Sequence, residues 1–249
     1  MSSAQDITDL NALATKFDDF SGSIIATFSG TKDKLYNSSS GSAILGTGLG
    51  DTIGITISDA VSPNEWVAIK AKTGSTVTAN GGFSAALSEY ATGGNTTNNW
   101  DSAVAAPNAA KSVTITGTLG SGDIANFNAI AGDNDHGGSI TASITAELSQ
   151  IDPSTLASTN SDTITVVVSD ELTATGATGI GGLNSLKAIT NGVITATVTQ
   201  SAANLATLDT TSTDVITLNA TGTTSVDNAI AITAKTSSLD NISFANIIS

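Results

Sequence analysis

The chain has 249 residues, with 8 basic and 22 acidic side chains, and its net charge of −14 repels phosphate backbones and anionic bilayers, so no nucleic-acid partner is expected. It contains no Cys, so a disulfide framework, a thiolate nucleophile and a Cys-based metal site are excluded; no run approaches the roughly 18 apolar residues of a membrane span, so no membrane insertion is expected. Charged residues make up 12% and aromatics 4%, yet 39% are hydrophobic, which argues against disorder and for a thin core of small aliphatic side chains.

In chain order, the opening Met1-Ser2-Ser3-Ala4-Gln5-Asp6 lacks the basic and apolar regions of a signal peptide. The expectation is therefore export by a route read elsewhere, release from a longer polypeptide, or assembly into a virion. Asp6 to Leu13 has its apolar residues three apart and predicts a short helix. Gly22-Ser23-Ile24-Ile25-Ala26-Thr27-Phe28 alternates with β-branched residues and predicts a strand with one buried face. After a Ser-rich helix or turn around Lys32 to Tyr36, a second kind of strand opens on Asp: Asp51-Thr52-Ile53-Gly54-Ile55-Thr56-Ile57. Ser62, Pro63 and Glu65 then read as an N-cap, a first-turn proline and a capping-box acid for a helix within residues 62–73, with Lys70 and Lys72 suited to its C-terminal end.

A strand is expected near 75, followed by a departure from the rhythm. Residues 81–111, with Phe83, Leu87, Tyr90, Trp100 and a Gly-Asn-Thr-rich centre, read as a loop insertion. Strands recur near 112, at Gly138 to Ile144, at Asp162 to Val168, at Gly192 to Val198, at Asp214 to Leu218 and near 241. Helices are expected at Asp123 to Ile130, at Gly182 to Leu186 and within 225–236, which aligns with 62–73 without a gap. Short helices or turns are expected around Pro153 to Leu156 and Ala202 to Leu208.

Strand starts thus fall roughly every 25 residues, with a double repeat near 50 and roughly nine coils. A strand, a crossover and a next strand force parallel neighbours. The expected fold is a single α/β solenoid over residues 1–249, each strand-plus-short-helix coil adding to one parallel sheet; a right-handed β-helix with short helices is the alternative. Each coil would be stabilised by its neighbours. The Gly-initiated strands place Ala26, Ala142 and Ala196 at their centres where the Asp-initiated strands place Ile55, Val166 and Leu218, predicting alternate small and large layers.

Candidate sites are few. The loop Gly132-Asp133-Asn134-Asp135-His136-Gly137 is oxygen-rich, and Asp133 with Asp135 could hold Ca²⁺, or the loop could be an Asx-turn between helix and strand. Asp51, Asp162 and Asp214 recur at equivalent positions and are expected to accept backbone N–H groups in the turns entering their strands, with a row of cation-binding carboxylates as the alternative. Outward Thr residues (Thr114, Thr116, Thr141, Thr145, Thr195, Thr197) could present a hydroxyl lattice of the ice-binding kind, interrupted by Ile25, Val167 and Asn219. Trp100, with Tyr90, Asn98 and Asn99 nearby in the insertion, is a candidate sugar platform; Trp66 is expected to pack in its helix. No nucleophile–base grouping, paired carboxylates or phosphate loop stands out, so no catalytic residue is assigned and the chain is expected not to be an enzyme.

The Leu-Asn-x-Leu helices (Leu183-Asn184-Ser185-Leu186), the Gly192-Val193-Ile194-Thr195-Ala196-Thr197-Val198 strand and the Ala-Lys-Thr-Ser connector (Ala234 to Ser237) resemble repeats of very large surface proteins of marine and cyanobacterial bacteria, often labelled adhesin-like or calcium-binding. The resemblance implies a cell-surface, filamentous or adhesive role. The expectation is a non-enzymatic structural repeat protein, extracellular or on the cell surface, that self-associates through stacked coils. Alternatives are an adhesive module binding a cell-surface glycan through 81–111, a virion fibre or decoration protein, and ice binding.

Overall fold

The computed structural model describes residues 7–17, 24–46, 51–105, 111–133, 137–159 and 161–248. Compactness divides the chain into two units, Met1–Thr116 with Asp133–Ser139, and Gly117–Gly132 with Ile140–Ser249. Up to residue 119 the elements are α1 (Ile7–Phe17), β1 (Ile25–Gly30), a 3-10 turn (Lys32–Lys34), β2 (Tyr36–Asn37), β3 (Ser42–Ala43), β4 (Thr52–Ile57), α2 (Pro63–Lys70), β5 (Val77–Ala79), β6 (Phe83–Ala86), α3 (Leu87–Tyr90), β7 (Ala91–Thr92), β8 (Asn95–Thr96), α4 (Asn98–Val104) and β9 (Lys111–Leu119). There follow α5 (Ile124–Ala131), β10 (Gly137–Ala146), α6 (Leu148–Ile151), β11 (Thr163–Leu172), α7 (Ile180–Ala188), β12 (Ile194–Ser201), α8 (Ala202–Leu205), β13 (Val215–Ser225), α9 (Val226–Thr233) and β14 (Ile242–Ile248).

The fold is α/β. One parallel sheet has seven strands in the order β6-β9-β10-β11-β12-β13-β14, and a second has three in the order β1-β4-β5, also parallel. Two antiparallel hairpins, β2–β3 and β7–β8, and an isolated parallel bridge between Val61 and Phe83 complete the pairing among the described residues. In both larger sheets most neighbours in space are neighbours in sequence, and the connections that carry helices return the chain to the same end for the next parallel strand. Among the described residues no helix is long and apolar enough to cross a membrane.

Local sequence explains the elements. Ser62 Oγ accepts the Glu65 N–H at 3.2 Å while Glu65 Oε2 accepts the Ser62 N–H at 2.8 Å, closing the capping box, and Pro63 opens α2. Along β12 the buried residues are Ile194, Ala196 and Val198, with Thr195 and Thr197 between them, as period two requires. The predicted strands near 23, 52, 75, 112, 139, 163, 193, 215 and 241 are all present. Of the short candidates, Lys32 to Tyr36 forms the 3-10 turn, 202–208 begins as α8, and Pro153 to Leu156 is a turn that follows α6.

Two expectations change. The small–large alternation exists, but its register is displaced by two residues: Ala142 pairs with Ile164 and Ala196 with Ile216, while Val166 and Leu218 lie beside Ile144 and Val198. Ala142→Leu would overpack its buried position and is expected to cost about 1–3 kcal/mol in urea unfolding. Residues 81–111 are also more than a loop. Their Phe83-Ser84-Ala85-Ala86 stretch is β6, paired in parallel with β9, and is followed by α3, the β7–β8 hairpin and α4. The run is too short and too Ala-rich to announce itself as a strand.

Candidate functional site

The most ordered polar geometry is a recurring set of side-chain clamps on the backbone of the preceding strand. A parallel strand's first inward amide points toward its neighbour before that neighbour has begun, so it needs another acceptor. Asp51 Oδ1 accepts from Ile24 N at 2.8 Å, Asp162 Oδ1 from Ile140 N at 2.7 Å, and Asp214 Oδ1 from Ile194 N at 2.9 Å. The Asp-initiated strands are in turn served by threonines: Ile53 N donates to Thr73 Oγ1 at 2.9 Å, Ile164 N to Thr190 Oγ1 at 2.9 Å, and Ile216 N to Thr236 Oγ1 at 3.2 Å. The double repeat is this alternation of carboxylate and hydroxyl.

Each clamp is anchored locally. The second oxygens of Asp162 and Asp214 accept the N–H groups of Thr159 and Thr211, both at 2.8 Å, in the turn that enters their own strand. Gly74, Asn191 and Ser237 donate their N–H groups to the carbonyls of Asp51, Asp162 and Asp214. Asp214 further takes Lys187 Nζ at 3.1 Å, with its side chain fully buried. The Thr190 hydroxyl is used in full, accepting from Ile164 N and Gly192 N and donating to Ile164 O at 2.9 Å. Thr190→Val is expected to destabilise by about 1–3 kcal/mol because the shape is kept and a buried N–H is orphaned, whereas Thr190→Ser should retain most of the stability in the same thermal melts.

Two further sets repeat. Asp59 and Asp170, each preceded by Ser, the first just after β4 and the second late in β11, accept Lys32 N at 2.7 Å and Leu148 N at 2.8 Å, capping from outside the 3-10 turn after β1 and the helix after β10. Asn11, Asn128 and Asn184 each pair with the backbone of a later segment as a peptide group would. Asn128 donates to Thr155 O at 3.1 Å and accepts from Ala157 N at 2.9 Å, and Asn184 does the same with Thr207 O and Asp209 N at 3.0 and 2.8 Å. Asn11 binds Ile44 O and Gly46 N.

The expectation for Asp51, Asp162 and Asp214 was a turn bond. That bond is present in the latter two, and the reach to the preceding strand is what sequence reasoning missed. The visible signals were the recurrence of Asp at strand starts, of Asn after the first apolar pair of α1, α5 and α7, and of Thr at 73 and 236 in the gapless alignment.

The predicted sugar platform lies inside. Trp100 and Tyr90 are fully buried and meet edge to face with ring centroids 5.1 Å apart, and Trp100 meets Phe83 the same way at 5.4 Å. Trp100 Nε1 donates to Asp133 Oδ2 at 3.0 Å. Asn98 is exposed, and Asn99 Nδ2 donates to Asn64 Oδ1 at 2.6 Å. Asp135 and His136 lie outside the described residues, and among the described residues no three acidic or His side chains gather closely enough to hold a metal ion. Trp66 packs in α2, its indole N–H on Val77 O at 3.3 Å, beside an open cleft of about 350 Å³ whose Lys70 ammonium is turned onto Thr73 O and Ser75 O.

Burial, reinforced by the adjacent Glu89 carboxylate, pushes the Tyr90 phenol well above its ordinary value, and its OH donates to Thr114 O at 3.2 Å. A raised folded pKa gives stability that is complete below the unfolded value of about 10 and is lost as pH rises beyond it. Tyr90→Phe is therefore expected to lose about 1 kcal/mol near neutrality with the hydrogen bond, yet to move the alkaline unfolding midpoint to higher pH by circular dichroism.

On the outer face, Thr141 pairs with Thr163, Ser143 with Thr165 and Thr197 with Thr217, while Val167 and Val215 flank Thr195 and break the hydroxyl rows. Glu171, Thr199, Asn219 and Ser243 instead form a hydrogen-bonded ladder running from β11 to β14. No family model, curated protein or solved structure matches the chain.

Proposed function

We propose that the chain is a non-enzymatic structural repeat protein of a bacterial cell surface or extracellular filament, built as a solenoid of strand-plus-helix coils and self-associating by continuing that stack. The observation that carries this is the chain of amide clamps. Asp, Thr and Asn side chains, which in a binding or catalytic site would face a ligand, are committed to backbone N–H and C=O groups, and most of those groups belong to the adjacent coil. Such an arrangement makes length and regularity the product of folding. An extracellular setting also suits the charge, since salt screens the repulsion among the acidic side chains.

The test is electron microscopy and sedimentation of the purified chain at rising concentration, with and without Ca²⁺. Filaments or layers that lengthen with concentration are expected. A strict monomer at high concentration under both conditions would reject self-association, and growth only with Ca²⁺ would make the cation part of the assembly.

A further inference from the structure

The clamps stop at the last coil. α9 aligns with α7 so that Val226 takes the place of Ile180, Ile230 that of Asn184 and Ile232 that of Leu186. Ile180 is 4% exposed and Val226 48%. Ile230 is 65% exposed and stands where α5 and α7 carry the clamping Asn128 and Asn184. In α2, which packs on α4, the same place holds Val67, which is half-buried where Ile230 is exposed. β14 is the outermost strand of its sheet, and beside α9 in sequence Leu239, Ile247 and Ile248 are exposed as well. The amide of Ile242 is already closed on Leu239 O, so this coil asks for apolar cover and not for an Asp clamp.

β1 is likewise outermost in its sheet. Ile25 is 80% exposed, and the inward Ala26 and Phe28 are only half-buried, although their partners Ile53 and Ile55 are fully covered. Charge distinguishes the two faces. Residues 117–249 carry twelve acidic side chains against two Lys, with Asp227 and Asp240 exposed near the α9–β14 face, whereas residues 1–116 carry ten against six; just after β1, Lys34 is exposed beside Asp33, and Lys32 is paired with Glu65 at 3.2 Å.

We propose that the α9–β14 face docks a second copy of this chain through that copy's β1 face, head to tail, which deepens the self-association reading and rests on it. Two copies meeting through α9–β14 alone would bring the acidic portions together. The head-to-tail pairing sets the more acidic portion against the less acidic one, and since the two faces differ, the contact is heterologous: each added copy offers its own α9–β14 face to the next.

Sedimentation of the full chain and of Ile230→Asn and Ile25→Ser tests this; both residues are exposed, and unchanged thermal melts confirm folding. Wild type should grow past the dimer with concentration. Each variant alone should assemble at least tenfold more weakly. An equimolar mixture should recover a species of two chains and stop there, because one variant keeps only β1 and the other only α9–β14. Wild-type assembly that neither variant weakens would overturn this interface while leaving self-association standing. A wild-type plateau at the dimer, insensitive to Ile25→Ser, would overturn it in favour of a symmetric α9–β14 contact. A wild type that stays monomeric would reject the self-association reading itself.

Discussion

Asp214→Ala is expected to lower the unfolding free energy by about 3–5 kcal/mol, the range for breaking a buried ionic contact by removing one partner. The carboxylate has no solvent exposure and holds four donors at once: Ile194 N, Thr211 N, Thr211 Oγ1 and Lys187 Nζ. Alanine leaves a strand-opening amide without an acceptor and a largely buried ammonium without a counter-charge. Asp214→Asn separates the two contributions. Its amide oxygen can still accept from Ile194 N, so it should recover part of the loss but not the share due to Lys187. Adding Lys187→Met to Asp214→Asn should then change stability less than Lys187→Met does in the wild-type background. Urea unfolding of the four chains gives the coupling energy, and a coupling near zero would show that the ion pair contributes nothing beyond the amide clamp.

Gly192→Ala is expected to cost about 4 kcal/mol or more, the magnitude reserved for a buried steric conflict with no soft neighbour. A Cβ at Gly192 would lie 2.0 Å from Ile164 O and 2.3 Å from its carbonyl carbon, and backbone cannot swing aside as a flexible side chain can. The preceding strand would have to move away at the point where Thr190 holds it, so the clamp and the close approach fail together. Gly138 makes the same approach to Lys111 O at 2.3 Å, which explains why strands of this kind open on Gly. Gly122, whose added Cβ meets nothing within 4 Å, is the matched control and should tolerate Ala with little change in the thermal midpoint.

Strand positions were legible because period-two alternation with β-branched residues survives in nearly every copy, and the helices because Ser62 with Glu65 and the Leu-Asn-x-Leu spacing mark them. The parallel order followed from the crossovers. Register did not: nothing local says that Ala142 lies beside Ile164 and not Val166, since that is set by how far the intervening turn carries the chain before the clamp closes. β6 was hidden because Ala at alternate positions gives almost no hydrophobic contrast.

The aromatic residues misled for a related reason. In a chain with so few rings, Trp100 among Gly and Asn looks displayed, yet Phe83, Tyr90 and Trp100 gather into a small core of their own, a contact between residues 17 apart or fewer that composition cannot reveal. The clamps were half visible. Recurrence of Asp, Thr and Asn at fixed places was in the sequence, but their partners lie 20–35 residues away, beyond any local pattern.

The proposed function rests on each strand being held chiefly by the segment that follows it. Amide hydrogen exchange on Asp214→Ala, read strand by strand against the wild type, tests it most directly. Faster exchange should appear at Ile194 and through β12, β13 and β14, while Ile53 and Ile55 in β4 keep their wild-type protection. Equal loss of protection in β4 and β13 would mean that the chain opens as one cooperative block, and would contradict the account.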